Sequence, residues 1–173
     1  MIRVARGDIT KLNVDAIVNA TNTQLFPGQG VDASVRRAAG YELTEAMDRL
    51  GGCPVGEARL TLGFHLPANY IIHTVSPIWR GGDNGEPGLL RRCYRAVFRI
   101  AMDNDLRSLA FPCIGTGAFG YPKREAAELA FSEISAFEDR FSEVVVCCFN
   151  HENEKIYLDL LGSVRGNRPR PKS

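Results

Sequence analysis

The hydrophobic positions of this chain follow two different periods. Alternating or short continuous apolar runs, which are typical of strands, predict six strands at Ile2–Ala5, Val14–Asn19, Ala58–Leu62, Tyr70–Val75, Leu109–Pro112 and Val144–Phe149. Apolar residues at three- and four-residue spacing predict helices over Asp32–Leu50 with a break at Gly40, and over Pro87–Asn104, Lys123–Phe141 and Glu152–Leu161. In the first of these regions the inward positions are Val35, Ala38, Ala39, Leu43, Ala46 and Leu50.

The alternation of strands with helices predicts an α/β fold of three layers, α/β/α. In such folds ligands bind at the carboxyl ends of the strands. Residues 1–162 form a single domain in this interpretation, and we expect residues 163–173 to be a basic, flexible C-terminal tail.

Two glycine-rich segments, Gly28–Asp32 and Gly115–Gly120, each follow a predicted strand. Glycine lets backbone N–H groups approach a ligand without an intervening side chain, so a glycine loop between a strand and a helix makes a cradle for an anion. Two such loops in one domain indicate a ligand with two phosphates or a pyrophosphate.

The second segment also satisfies the dinucleotide pattern G-x-G-x-x-G, but its context does not fit. That pattern belongs in the first strand-to-helix turn, with an acidic residue after the next strand. Here the loop comes late, and the next strand ends in Phe149 and Asn150. A Walker loop is excluded because no G-K-[ST] is present.

Composition narrows the class of protein further. The five cysteines form no C-x-x-C pair and indicate reduced thiols, and the chain contains no apolar stretch near the length of a membrane span. We therefore expect a cytoplasmic protein that does not bind membranes. The net charge is +1, and four of the positive charges lie in residues 164–173, which leaves −3 on the rest. This balance argues against nucleic acid as a partner unless the tail binds it.

Five segments, in order, resemble the signatures of the macrodomain family. They are Gly7–Thr10 (GDIT), Val14–Asn22 (VDAIVNATN), Gly30–Asp32 (GVD), Ile72–Val75 (IHTV) and Phe111–Pro122 (FPCIGTGAFGYP). The pattern is most similar to the MacroD-type branch, which resembles bacterial O-acetyl-ADP-ribose deacetylases. The resemblance implies a mixed, mostly parallel sheet of about six strands, ADP-ribose as ligand, and no cofactor. We expect a monomer.

The resemblance assigns the adenine to the first and last strand ends. Asp8 matches a carboxylate that accepts a hydrogen bond from the adenine amino group, and the backbone N–H of Ile9 would bind the ring. The alternative for Asp8 is a cap or a turn. Phe149 matches an aromatic that stacks on adenine, although a core phenylalanine explains it nearly as well.

The first loop would hold the distal ribose and a phosphate. Asn22 matches the asparagine that binds the ribose, and Asn19 more simply braces the loop. Backbone N–H groups of Gly28, Gly30 and Val31 would bind phosphate. Asp32 and Asn22 are the candidate catalytic residues. Asn22 would orient the ribose, and Asp32 is the main candidate, because a carboxylate beside a filled cradle can orient or deprotonate a water. A helix cap is its alternative, and a bound phosphate can share the task.

The second loop would close over the pyrophosphate with Gly115, Thr116, Gly117 and Ala118, while Phe119 packs beside the distal ribose. Cys113 precedes this loop and is best explained as a buried thiol. His73 lies within an alternating strand and is expected to be a hydrogen-bonded core residue. The three histidines form no metal-binding pattern, so no metal is implied.

The chain departs from the family pattern in the first loop. Relatives usually carry three or four consecutive glycines before Val-Asp, whereas this chain has Pro27-Gly28-Gln29-Gly30, and Arg36 also departs from the usual residue. Gln29 and Arg36 could alter water access or contact a leaving group. Three hypotheses follow. The chain is an ADP-ribosyl ester hydrolase, with O-acetyl-ADP-ribose or mono-ADP-ribosylated protein carboxylates as substrates, or a non-catalytic ADP-ribose reader. A weaker third is a binder of RNA ends or nucleotide phosphates that uses the tail.

Overall fold

The computed structural model describes residues 1–166 and contains six strands and five helices in that part of the chain. The strands are β1 (Ile2–Arg6), β2 (Ala16–Ala20), β3 (Ala58–Leu62), β4 (Tyr70–Thr74), β5 (Ser108–Phe111) and β6 (Glu143–Cys148). The helices are α1 (Val31–Ala39), α2 (Tyr41–Leu50), α3 (Glu86–Asp103), α4 (Lys123–Phe137) and α5 (His151–Gly166). Short 3₁₀ turns occupy Ile9–Lys11 and Glu138–Arg140.

The strands form one mixed sheet in the order β1-β6-β5-β2-β4-β3. Every neighbouring pair is parallel except β3 and β4, so the only antiparallel strand of the described sheet lies at its edge. The carboxyl ends of the other five strands therefore meet at one edge of the sheet. The predicted three-layer α/β/α fold with a mixed, mostly parallel six-stranded sheet is confirmed.

Two apolar cores lie on opposite faces of the sheet, because successive side chains of a strand point to opposite faces. On β6, Val144, Val146 and Cys148 pack in one core and Val145 and Cys147 in the other. Helices α3, α4 and α5 cover the first core, and α1 and α2 cover the second. Both helical layers thus bury their apolar stripes against a sheet whose strands are apolar on both sides.

Glycine and proline set several of the helix boundaries. Gly40, at φ +97°, ends α1 and precedes α2, which confirms the predicted break. Gly51 ends α2 in the left-handed conformation, and Pro87 lies in the first turn of α3, where its missing N–H costs no helical hydrogen bond.

Two local predictions are wrong. The helix predicted to reach Phe141 ends at Phe137, because residues 138–140 tighten into a 3₁₀ turn and Phe141 becomes extended with its ring buried. Leu50 is 36% exposed, whereas Met47 is fully buried, so α2 places Met47 and not Leu50 on its inner face.

Helix α5 continues to Gly166, so the first four residues of the predicted tail, 163–166, are helical. The rest of that tail lies outside the described residues.

Candidate functional site

The predicted site residues come together because they follow the carboxyl ends of the parallel strands. Across the sheet, Asp8 follows β1, Phe149 follows β6, the 115–119 loop follows β5, and the 21–30 loop follows β2. The two adenine candidates thus lie on neighbouring strands, and the two glycine loops lie on the next two. A long ligand placed along this edge would meet them in that order.

Asp8 caps the first 3₁₀ turn and also keeps an oxygen free. Its Oδ1 accepts from the backbone N–H of Thr10 at 2.9 Å and from the Thr10 hydroxyl at 2.6 Å. The Thr10 hydroxyl bond is the main cause that lowers the pKa of Asp8, so this group is a carboxylate at neutral pH. No described contact uses Oδ2 or the N–H of Ile9. Asp8 is therefore both a cap and a hydrogen-bond acceptor available to a ligand.

Phe149 is 90% exposed, which makes it the most exposed large apolar side chain of the described residues. It directly follows β6 and precedes α5. The core alternative for Phe149 is therefore wrong. An aromatic ring at a strand end with most of its surface open to solvent is suited to stacking on a flat ligand.

The first loop is closed by internal hydrogen bonds. The side chain of Asn22 bonds both ways to Phe26: its Nδ2 donates to the Phe26 carbonyl at 2.9 Å, and its Oδ1 accepts from the Phe26 N–H at 3.1 Å. The N–H of Gly28 donates to Asp32 Oδ2 at 2.8 Å, so Gly28 supports the loop and is not a phosphate donor in this conformation. The N–H groups of Gly30 and Val31 have no acceptor among the described contacts and lie at the start of α1.

Asp32 is buried behind these donors, at 2% exposure. Oδ2 accepts from Gly28 N–H and from Arg36 Nε at 2.9 Å, and Oδ1 accepts from Asn19 Nδ2 at 2.9 Å. Three donors leave about one lone pair of the carboxylate unused. Asp32 is therefore an anchor for the loop, and any water it orients has to reach Oδ1.

Arg36 points inward and is only 8% exposed. Besides Asp32, it donates from Nη2 to the carbonyl of Leu25 at 2.7 Å and from Nη1 to Thr44 Oγ1 at 3.2 Å. Three of the five N–H groups of the Arg36 guanidinium are thus used inside the protein, which does not favour a direct contact between Arg36 and a leaving group.

A buried polar chain extends from Asp32 to the edge of the sheet. Asn19 and His73 are fully buried, and Asn19 Nδ2 lies 3.1 Å from His73 Nδ1. Because Asn19 is the donor there, His73 carries its proton on Nε2, which lies 2.9 Å from Thr61 Oγ1. Burial lowers the pKa of His73 to about 3, so the ring is neutral at physiological pH.

These buried hydrogen bonds bear on two of the sequence predictions. His73 is the expected hydrogen-bonded core residue. Asn19 braces the loop from behind, and with no exposed surface it cannot contact a ligand directly in this conformation.

The second loop carries several backbone N–H groups that have no acceptor among the described contacts. No described contact occupies the N–H groups of Gly115, Gly117, Ala118 and Phe119, while Thr116 N–H makes a 3.4 Å bond to the carbonyl of Cys113. Gly115 is held at φ +85°, a conformation that favours glycine, and its hydrogen atoms face Tyr121 and Ser76. Gly117 has open space where a side chain would begin. The loop thus has the form of an anion cradle.

The segment after β4, residues 75–85, was not predicted to belong to the site. Its Trp79 donates its backbone N–H to the Phe119 carbonyl at 2.8 Å and packs its ring against Tyr121 at 4.6 Å between centroids. Buried Glu86 accepts from the N–H groups of Arg80, Gly82 and Asn84; burial raises its pKa, but these bonds lower it to about 2 overall. The turn-forming residues Gly81-Gly82-Asp83-Asn84-Gly85 before Glu86 could have indicated an ordered loop here from the sequence.

The thiols offer no exposed, activated nucleophile. The hydrogen bond from Cys113 lowers the pKa of Cys148, but the Cys148 side chain is fully buried. All five cysteines are free, as predicted. Cys113 is half-buried, not buried as expected, and its Sγ lies 3.8 Å from Cys148 Sγ. Donation to Cys148 and burial raise the pKa of Cys113, which disfavours the thiolate. Within residues 1–166 no group of three or more metal-ligating side chains is close enough to hold an ion.

Two clefts border the site. One, of about 360 Å³, is lined by Asp8 together with Lys11, Arg37 and His65, among others. The other, of about 520 Å³, adjoins the second loop at Thr116 and Gly120 and includes Lys123 and Glu152, which form a 2.7 Å ion pair. None of the helices in the described part is long and apolar enough to cross a bilayer.

Comparison with known proteins agrees with this geometry. The Macro domain family matches residues 18–130. A Macro domain-containing protein of Mesorhizobium japonicum is 49% identical over 167 residues, covering 95% of each chain. The O-acetyl-ADP-ribose deacetylase of Citrobacter koseri is 45% identical over 167 residues, covering 92% of this chain and 94% of that protein.

A solved structure is similar to this chain in both fold and sequence. The Trypanosoma brucei macrodomain in complex with ADP-ribose superposes with a TM-score of 0.86 at 38% identity, covering 93% of this chain and 69% of that one. From the sheet order, the two N–H loops and these matches, we conclude that the chain belongs to the Macro domain family.

Proposed function

We propose that this protein binds ADP-ribose along the carboxyl edge of its sheet and hydrolyses an ester at the distal ribose. The substrates are O-acetyl-ADP-ribose or proteins mono-ADP-ribosylated on a carboxylate. The observation that carries the proposal is the pair of neighbouring loops with unoccupied N–H groups, flanked by Asp8 and Phe149 on one side. The printed activity of the Citrobacter relative and the ligand of the Trypanosoma structure support it.

Each part of the ligand has a matching group. The free Oδ2 of Asp8 accepts from the adenine amino group, the N–H of Ile9 donates to the ring, and Phe149 stacks on it. The N–H groups of Gly30 and Val31 face the diphosphate from the first loop. Those of Gly115, Gly117 and Ala118 face it from the second.

The distal ribose would lie between Asn22 and Phe119. The second hydrogen of the Asn22 amide is free for a ribose hydroxyl while the first holds Phe26. Phe119 is fixed through its carbonyl by Trp79, which limits how far the ribose can rotate. In this proposal the segment after β4 positions the reacting end of the ligand.

Hydrolysis adds one water across the ester. The water oxygen bonds to the acyl carbon, the bond from that carbon to the ribose oxygen breaks, and the ribose oxygen takes a proton. The products are ADP-ribose and a carboxylic acid. Asp32 Oδ1 and a phosphate oxygen of the substrate would orient the water, and the N–H loops hold the diphosphate in place.

The burial of Asp32 favours a second candidate, a reader that binds ADP-ribose without turnover. In this alternative the carboxylate is occupied by its three donors and the exposed Gln29 obstructs the water. Replacing Gln29 by Gly separates the two. An obstructed reader gains activity, whereas an adapted hydrolase changes little or loses some.

We also infer a reducing, cytoplasmic location, since all five cysteines are free thiols and two of them lie within 3.8 Å of each other without a disulfide.

Isothermal titration calorimetry with ADP-ribose and AMP tests the binding half of the proposal. We expect ADP-ribose to bind in the micromolar range and AMP to bind more weakly, because AMP leaves the second phosphate and the distal ribose contacts unmade. Equal affinities would remove the case for a distal ribose site.

A further inference from the structure

The guanidinium of Arg36 ties the first loop to two helices. It bonds Asp32 in its own helix, the Leu25 carbonyl in the loop and the Thr44 hydroxyl in α2, at 2.9, 2.7 and 3.2 Å. Among the hydrogen bonds of the described residues, no other side chain bonds all three segments. Arginine suits this place, because its planar fork fixes several acceptors at once.

The loop segment that Arg36 bonds includes a residue in an unfavourable backbone conformation. Leu25 is at φ +58°, in the left-handed region that a leucine rarely adopts, and its side chain is fully buried. Its N–H is bonded to the Asn22 carbonyl, and its own carbonyl accepts from Arg36. The conformation of Leu25 therefore persists because burial and the guanidinium stabilise it.

Arg36 also balances a buried charge behind the cradle. The Oδ2 of Asp32 accepts from the Gly28 N–H, on the side of the loop where phosphate is expected. A buried carboxylate without a counter-charge repels a phosphate held in front of it, and low polarity strengthens that repulsion. The other side chain that bonds Asp32 is the neutral amide of Asn19, and His73 behind it is neutral as well. Arg36 is thus the cation that contacts Asp32.

We propose that Arg36 is a positioning residue of the diphosphate site, which preforms the first loop and neutralises Asp32 without touching the ligand. This inference rests on the proposed function. Its effect should depend on the phosphates of the ligand and not on the adenosine.

The experiment compares a ligand series by calorimetry or a competition assay. For Arg36→Met we expect ADP-ribose affinity to fall about thirtyfold, AMP affinity to fall less, and adenosine affinity to stay within about twofold. Arg49→Met is the matched control. Arg49 lies on α2 with a side chain that is 78% exposed and pairs only with Glu45, so all three affinities should be unchanged.

A double variant separates charge balance from loss of structure. In Asp32→Asn with Arg36→Met neither charge remains, and we expect ADP-ribose affinity to recover several-fold relative to Arg36→Met alone. Arg36→Lys keeps the charge but cannot reach all three acceptors, so its ADP-ribose affinity should fall about tenfold. This variant replaces Arg36→Met in the test if Arg36→Met does not fold.

The outcomes distinguish this inference from the proposed function. If the wild-type protein does not bind ADP-ribose, the proposed function fails. If the wild-type protein binds it and the folded Arg36 variants bind it equally well, only the inference fails. An equal loss of affinity for adenosine and ADP-ribose, or no recovery in the double variant, also overturns it.

Discussion

Gly115 and Gly117 lie two residues apart in the second loop, but only Gly115 is constrained by the structure to be glycine. Gly115 is at φ +85°, and an added Cβ would lie 3.4 Å from the Cβ of Tyr121. Gly117 is outside the left-handed region, and nothing lies within 4 Å of its added Cβ. Gly115 is therefore needed for the fold, whereas Gly117 leaves open the space in front of the loop where we propose that phosphate binds.

Substitution at these two positions should separate stability from binding. Gly117→Val should change the free energy of unfolding by less than about 0.5 kcal/mol and lower ADP-ribose affinity at least about tenfold, because its methyl groups fill the phosphate space. Gly115→Ala should destabilise the fold by about 1–2 kcal/mol through its backbone conformation. Chemical denaturation and calorimetry measure both, and a folded Gly117→Val that binds normally would show that the loop is not a cradle.

Phe149 offers a second test at the residue scale. Since its ring is 90% exposed, Phe149→Ala should leave stability unchanged, while ADP-ribose affinity falls about tenfold if the ring stacks on adenine. Leu62→Ala is the control, because Leu62 is 57% exposed on the opposite edge of the sheet, on β3. The prediction fails if both variants bind ADP-ribose like the wild-type protein.

At the scale of elements, the strands β2, β3 and β4 share the buried chain from Asp32 through Asn19 and His73 to Thr61. His73 binds a proton only below a pKa of about 3 in the folded protein, whereas an unfolded histidine does so near pH 6.5. The unfolded state thus binds more protons between these values. The stability present above pH 6.5 is lost as the pH falls towards 3.

We expect the buried His73 to make the stability of the protein sensitive to acid. From pH 6.5 downwards the free energy of unfolding should fall by roughly 1.4 kcal/mol per pH unit on account of His73. His73→Gln can accept from Asn19 and donate to Thr61 but does not titrate, so its stability should decline less steeply between pH 6.5 and 4.5. Denaturant titrations at several pH values give both slopes. Parallel slopes would contradict the assignment of the acid sensitivity to His73.

The order of elements could be predicted from the sequence because apolar periodicity reflects burial directly. Every predicted strand forms, and each differs from the structure by at most two residues at either end. The predictions that are wrong concern features that depend on contacts between distant segments. Met47 and not Leu50 faces the core because α2 packs at an angle that the local period does not specify.

The site was predicted to a similar extent and for a similar reason. Motifs with glycine and asparagine after strands identify loops, so the positions of Asp8, Asn22 and the 115–120 loop were predictable. The direction of an individual side chain was not. Arg36 turns inward only because Asp32, Leu25 and Thr44 converge on it, and Phe149 turns outward although its sequence context is apolar.

At the scale of the whole molecule, the parallel sheet arranges the site in a line. Strands β1, β6, β5 and β2 are neighbours, and their carboxyl ends carry the two residues proposed to bind adenine, then the second loop and the first loop, in that order. A ligand with a base at one end, a diphosphate in the middle and a sugar at the other fits this order, whereas a mononucleotide fills only part of it. The fold thus accounts for the length of the ligand as well as for its charge.

The most direct test of the account is a single-turnover assay with O-acetyl-ADP-ribose and, separately, with a mono-ADP-ribosylated protein. The formation of ADP-ribose is followed in both. We predict that the wild-type protein hydrolyses at least one of the two and that Asp32→Ala is slower by about a hundredfold or more. Absence of turnover on both substrates by a wild-type protein that binds ADP-ribose, or full activity in Asp32→Ala, would contradict the account.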